Sequence, residues 1–129
     1  MILKFWGRLY NLEGWKKIYL DADYLYISFP YVINGEDVEG VHYSEPYELV
    51  IDLDPNEDSH DIAREHKDWD HKDARQLMYR IAGKAYDKVI EKLLDKTEYY
   101  DLDADYSQIL KDSESELVKE YEEYDEEWK

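Results

Sequence analysis

The sequence predicts an α+β domain: an N-terminal antiparallel sheet of four or five strands, with two main C-terminal helices packed on one face. Residues 1–54 are rich in β-formers separated by short turns, whereas residues 60–128 show helical periodicity. Strands followed by helices are typical of sheets that carry their helices on one side. At 129 residues, the chain fits a single domain, 1–129.

Five segments in the first half predict the strands of this sheet. Each is rich in β-branched or aromatic residues, or alternates apolar and polar positions as a strand with one buried face does. The predicted strands are residues 2–9, 15–20, 24–29, 38–43 and 47–53. Short turns between them make an antiparallel meander the simplest topology.

Turn signals separate these strands. Asn34-Gly35 is the strongest hairpin signal, because both central residues of a type I′ turn need positive φ. Pro30 predicts an edge position or the end of a strand. The pentapeptide Leu-Asp-Ala-Asp-Tyr occurs at 20–24 and again at 102–106, and we expect two similar turns there.

The first predicted helix is the strongest element of the sequence. Asp70 is placed to cap its N-terminus, and Asp73 favours the positive end of the helix. Adjacent apolar pairs then repeat every four residues, which predicts a wide buried stripe. The helix is expected to end near Lys96.

A second helix is predicted from about Asp105. Gln108 follows three residues later, as in a capping box. The apolar stripe of this helix is Leu110, Leu117, Tyr121, Tyr124 and Trp128. Its other faces are densely acidic.

The net charge of −17, from 33 acidic and 16 basic residues, restricts the partners of this chain. Residues 101–129 alone carry 12 acids and 3 bases. Such a field repels nucleic acids and anionic lipids and attracts basic surfaces. We therefore expect no direct binding of DNA or RNA and no membrane binding.

Three absences predict a cytoplasmic protein. The chain has no cysteine, so it needs no oxidising compartment. The first residues show no apolar leader with a small-residue cleavage site. No segment approaches the ~20 apolar residues of a membrane span.

Catalytic motifs are not found, and we expect a binding protein without a cofactor, not an enzyme. One cluster contains metal-ligand types: His60, His66 and His71, with four carboxylates between them. Their spacings of six and five residues splay the imidazoles on a helix, and Arg64 and Lys67 place positive charge among them. This segment is therefore predicted to be a linker or short helix, and its histidines are weak metal candidates.

Exposed carboxylates and tyrosines provide the candidate binding surface. Carboxylates bind Arg and Lys, and tyrosine rings stack on the same cations. The predicted partner-binding residues are Glu114, Glu116, Glu120, Glu122, Glu123, Asp125, Glu126 and Glu127, with Tyr121 and Tyr124. Tyrosines in the sheet half are the alternative binding face. The expected partner is a basic protein, such as a nuclease or another nucleic-acid-binding protein.

This composition resembles that of small acidic phage inhibitors of the anti-CRISPR and anti-restriction type. The resemblance rests on size, net charge and the carboxylate-dense segment 112–127. It implies occlusion of a nucleic-acid-binding site by carboxylates in place of phosphates. Bacterial immunity proteins that neutralise nuclease toxins are similar in composition and are the alternative. A small metal-dependent hydrolase is the third possibility.

Overall fold

The computed structural model describes residues 1–127, with side-chain surroundings described as far as Tyr124. In this part of the chain, two three-stranded sheets and three helices form an α+β fold. The elements are β1 (Ile2–Phe5), β2 (Arg8–Asn11), β3 (Lys17–Asp21), β4 (Tyr24–Glu36), β5 (His42–Asp52), α1 (Asp58–Arg64), α2 (His71–Leu94), β6 (Tyr99–Asp101) and α3 (Leu102–Glu127).

The α+β class is confirmed, but the single sheet of four or five strands is wrong. One sheet has the order β2-β1-β6, and β6 runs parallel to β1. The other sheet, β3-β4-β5, is antiparallel throughout. Strand β6 was missed because three residues between two helices are too few to display a period of two.

A tight turn divides the predicted strand 2–9 into β1 and β2. Trp6 and Gly7 have φ values of 54° and 71°, and an aromatic residue rarely adopts this left-handed conformation. The carboxylate of Asp103 accepts hydrogen bonds from both amides, at 2.7 Å from Trp6 N and 3.1 Å from Gly7 N. The start of α3 thereby holds the hairpin closed.

A single apolar core joins the two sheets to α2 and α3. Among its fully buried side chains are Leu3, Phe5, Leu12, Leu25, Ile27, Leu53, Leu77, Ile81, Leu102 and Leu117. Tyr106 of α3 contacts β1 and the residue that follows β5: its ring meets Phe5 edge-on at 5.1 Å, and its hydroxyl donates to the Leu53 carbonyl at 2.7 Å. This buried hydrogen bond satisfies the phenol within the core.

The first long helix, α2, begins where the sequence predicts. Asp70 is its N-cap, accepting from Lys72 N, and Asp73 completes a capping box by accepting from Asp70 N. The helix ends at Leu94, two residues before the predicted end.

Helix α3 begins at Leu102, three residues before the predicted start, so the predicted cap at Asp105 is wrong. Asp101 accepts from Ala104 N at 3.3 Å, as an N-capping side chain does. The Asp105 carboxylate instead accepts from the Tyr100 hydroxyl at 2.7 Å. Gln108 pairs with Asp112 one helical turn later, and the predicted stripe residue Trp128 lies outside the described residues.

Strands β4 and β5 are longer than predicted and extend beyond the core as a two-stranded ribbon. Strand β4 continues through Pro30, where its register with β5 shifts between Ser28 and Val32. The predicted turn at Asn34-Gly35 and the predicted strand 38–43 are both wrong: Asn34 and Gly35 lie within β4, and the turn follows at residues 37–40.

Candidate protein-binding surface

The outer face of the β3-β4-β5 sheet is built by strict alternation. Along a strand, side chains point alternately to the two faces of the sheet. In β4, Leu25 and Ile27 enter the core, so the residues between them face outward. The register places the outward residues in three cross-strand rows. The rows are Lys17, Ser28 and Glu48; Tyr19, Tyr26 and Val50; and Asp21, Tyr24 and Asp52. We call these nine residues the tyrosine–carboxylate face.

In the aromatic row of this face, two tyrosine rings lie parallel and one of them contacts a lysine of the same chain. The rings of Tyr19 and Tyr26 stack at 4.9 Å with an interplanar angle of 6°. Lys17 Nζ lies over the Tyr19 ring, 5.2 Å from its centroid. The face therefore binds an ammonium group of its own chain in the cation–π geometry that a partner's Lys or Arg would use.

Carboxylates around these rings create a strong negative field. The charge of Asp23, followed by that of Asp52, raises the pKa of the Tyr24 phenol. Desolvation, followed by the charge of Glu48, raises the pKa of Tyr19. Both phenols therefore remain neutral hydroxyl donors.

The carboxyl groups of Asp23 and Asp52 lie close enough to interact. Burial, followed by a hydrogen bond to Asp52 and repulsion from its charge, raises the pKa of Asp23 to about 6. Asp23 therefore keeps its proton to a higher pH than an ordinary aspartate does.

Eight of the nine residues of this surface, all except Lys17, belong to the longest stretch of the chain without a lysine or arginine. Between Lys17 and Arg64 there are twelve carboxylates and no lysine or arginine. The net charge of the whole chain does not reveal this pattern, because the bases that flank the stretch cancel part of it. Counting the distance between successive bases would have found it.

The ribbon formed by residues 30–46, which we call the arm, continues this sheet. Every residue in it is exposed except Gly35. A Cβ at Gly35 would lie 2.4 Å from Cζ of Tyr43, so the tyrosine ring covers the glycine directly. The glycine is therefore needed for close packing of a ring, not for a positive φ.

The turn of the arm is closed by Asp37. Its Oδ1 accepts from the amides of Glu39 and Val41, both at 2.9 Å. At the other end, the rings of Phe29, Tyr31 and Tyr47 pack together with centroids 5.2–5.6 Å apart. Ordered contacts at both ends fix the direction of the arm.

A recess of ≈ 360 Å³ opens beside the base of the arm, on the side of β2. Its lining is mostly aromatic and aliphatic. The lining residues are Leu9, Tyr10, Asn11, Glu13, Tyr31, Tyr47 and Leu49.

Three of the predicted partner-binding acids on α3 are already paired within the chain. Glu116 Oε1 lies 2.6 Å from Lys84 Nζ, and Glu120 pairs with Arg80. Glu114 Oε2 lies 2.6 Å from His66 Nε2. The negative charge of α3 is thus partly balanced by Arg80 and Lys84 of α2.

The remaining predicted residues divide into two groups. Tyr121 is half-buried and donates a hydrogen bond to Asp73, whereas Glu122, Glu123 and Tyr124 are exposed. The side chains of Asp125, Glu126 and Glu127 lie outside the part of the chain whose side chains the structure describes.

The three histidines do not converge. His60 lies in α1, His71 begins α2, and His66 stacks on Trp69 at 3.7 Å while facing α3. Among the described residues, no group of three or more His, Asp or Glu side chains is arranged to hold a metal ion.

Comparison with known proteins gives no relative: no protein-family model, no curated protein and no solved structure matches this chain. Within residues 1–127, none of the helices combines the length and apolar character needed to cross a membrane.

Proposed function

We propose that this chain is an inhibitor that binds the basic nucleic-acid-binding site of another protein and occupies it in place of a nucleic acid. The observation that carries the proposal is the tyrosine–carboxylate face, with the base-free stretch to which it belongs. Carboxylates there would replace phosphates, and the tyrosine rings would replace stacked bases. The partner is a basic protein, and we place the interaction in the cytoplasm.

The chemistry of binding follows from two kinds of contact. Carboxylates such as Asp21 and Glu48 would accept charge-assisted hydrogen bonds from Arg and Lys, each worth roughly 1.5–3 kcal/mol when shielded from water. Guanidinium groups would stack on Tyr19 and Tyr26, as Lys17 does within the chain. The negative field would also raise the association rate, with strong dependence on salt.

The distribution of bases supports this face over α3 as the main contact surface. Residues 64–100 carry nine bases and eight acids, and α2, which supplies Arg80 and Lys84, lies in this segment. Arg80 and Lys84 pair with Glu116 and Glu120 of α3. No Lys or Arg within residues 18–63 compensates the acids of the sheet. We therefore place Glu122 and Glu123 of α3 outside the main contact surface.

The direct test is displacement of DNA from purified enzymes. A fluorescent duplex bound to each of three nucleases is titrated with the protein at 50 mM and 300 mM salt. The nucleases are a guide-loaded CRISPR effector, a restriction endonuclease and a DNase toxin domain. We expect near-stoichiometric displacement from at least one of them, weakened tenfold or more at the higher salt.

Which enzyme is blocked distinguishes the two biological roles. Inhibition of the CRISPR effector or the restriction enzyme would assign phage anti-defence, our first proposal. Inhibition of the toxin domain alone would assign immunity. Unchanged DNA binding and cleavage by all three at 10 µM protein and 50 mM salt would contradict the proposal.

A further inference from the structure

The arm exposes more apolar surface than a ribbon needs for folding. Val38 at its tip is fully exposed, and Val32, Ile33, Val41 and Tyr43 each remain about half exposed. Exposed aliphatic residues gathered on one projecting element mark a contact surface, whereas single ones scattered over a protein do not.

The outer edges of the arm are also open. The pairing of β3 with β4 stops at Ser28, so the arm portion of β4 has β5 as its partner strand. Strand β5 is itself the edge of the sheet. Unpaired backbone groups on such edges invite pairing with another chain, and natural proteins usually block them with lysine or proline. Pro30 and Pro46 lie at the base of the arm, whereas residues 31–45 contain neither lysine nor proline.

The negative charge of the arm favours a basic partner surface. Glu36, Asp37, Glu39 and Glu45 lie within it, and it contains no lysine or arginine. Two copies packed arm against arm would bring these carboxylates together without compensation. A basic partner would neutralise them, so charge complementarity favours a different protein over a second copy.

We infer that the arm inserts into a cleft of the basic partner, with Val38 and Val41 contacting an apolar floor and the carboxylates contacting Arg or Lys on the walls. This inference rests on the proposed function and specifies its geometry: the tyrosine–carboxylate face covers the rim of the site, while the arm enters it.

The construction of the arm suits insertion. The Asp37 turn and the Tyr43 ring over Gly35 hold the hairpin in one conformation before binding. A preorganised element loses less conformational entropy on docking than a flexible loop does. The apolar tip supplies contact energy that salt does not screen.

The test uses whichever nuclease the wild-type protein blocks. The double variant Val38→Ser/Val41→Ser removes the apolar tip, and Leu94→Ser, at an exposed aliphatic position on α2, is the control. We expect the concentration for half-inhibition to rise at least tenfold for the tip variant, at 50 mM and 300 mM salt alike. The control should change it by less than twofold.

A second pair of variants separates the charged contribution. Glu39→Gln/Glu45→Gln should weaken inhibition at 50 mM salt more than at 300 mM, whereas Glu122→Gln/Glu123→Gln on α3 should change it little. If the tip variant inhibits as strongly as the wild-type protein, the inference is overturned but the proposed function stands. Failure of the wild-type protein itself would overturn both.

Light scattering tests the alternative that the arm contacts a second copy of this chain. We expect a monomer at 50 µM for the wild-type protein and for the tip variant. A wild-type dimer that Val38→Ser/Val41→Ser converts to a monomer would assign the arm to a second copy of this chain and overturn the inference.

Discussion

Glu116 of α3 lies between two bases of α2: its Oε1 is 2.6 Å from Lys84 Nζ, and its Oε2 is 3.5 Å from the Arg80 guanidinium. The sequence shows this glutamate as one of many acids crowded on an exposed helix. In the folded chain, it is part of the contact that joins the two long helices.

Glu116→Gln/Glu120→Gln is therefore expected to destabilise the protein, although it reduces a large negative charge. Partly exposed ion pairs of this kind contribute up to about 1 kcal/mol each, so we expect a loss of about 0.5–1 kcal/mol in the free energy of unfolding. Urea denaturation at low salt measures it, with Glu122→Gln/Glu123→Gln as the control of equal charge change. A double variant as stable as the control would show that the pairs to Arg80 and Lys84 contribute nothing.

Gly35→Ala tests the packing of the arm. The added Cβ would meet the Tyr43 ring at 2.4 Å, so the ring must leave its place. We expect faster amide hydrogen exchange across residues 32–46, with little change in the core.

Gly83→Ala is the matched control, because no atom lies within 4 Å of a Cβ there. In the interior of α2, it should stabilise the protein by up to about 1 kcal/mol and leave the arm unchanged. Unaltered exchange of the arm in Gly35→Ala would contradict the packing role of Tyr43.

The Asp23–Asp52 pair predicts a pH dependence of stability. The pKa of Asp23 rises from 3.8 to about 6 on folding, so the native state binds more protons than the unfolded state between these values. The free energy of unfolding from this group therefore falls as pH rises through that window. Because the side chain is partly exposed, we expect a loss of no more than about 1 kcal/mol above pH 6.

Asp23→Asn should remove this penalty. The variant should match the wild type near pH 4 and become more stable by about 1 kcal/mol at pH 7, measured by urea denaturation across the range. A stability difference that stays constant from pH 4 to pH 7 would contradict the raised pKa of Asp23. Asp21→Asn, on the same turn, serves as the control.

What the sequence predicts correctly depends on strong local signals. Helix α2 is found because five apolar pairs repeat along it from Leu77 to Leu94, and its start is found because Asp70 and Asp73 form a complete capping box. Both features act between residues close in the chain, where spacing alone specifies the contact.

The errors arise where distant residues decide the conformation. The pentapeptide Leu-Asp-Ala-Asp-Tyr forms the turn between β3 and β4 at 20–24 but starts α3 at 102–106. Asp103, in the second copy, supports the Trp6-Gly7 turn almost a hundred residues earlier. No local pattern carries that information.

The sequence predicts the chemistry of the candidate surface but not its location. Acidic and tyrosine-rich contacts were expected, and sheet tyrosines were the alternative location. The pairing of Glu116 with Lys84 and the cross-strand rows of Tyr19 and Tyr26 depend on helix packing and strand register. Neither can be read from composition.

Removing the same charge from two surfaces tests most directly the central claim, that the β3-β4-β5 sheet and not α3 binds the partner. Asp21→Asn/Glu48→Gln neutralises two carboxylates of the tyrosine–carboxylate face, and Glu122→Gln/Glu123→Gln neutralises two on α3. Calorimetry measures the Kd of each variant at 50 mM and 150 mM salt for the nuclease that the wild-type protein blocks. We predict at least a tenfold weakening and a shallower salt dependence for the sheet variant, and less than a threefold change for the helix variant. Equal effects, or a larger effect of the helix variant, would contradict the assignment of binding to the sheet.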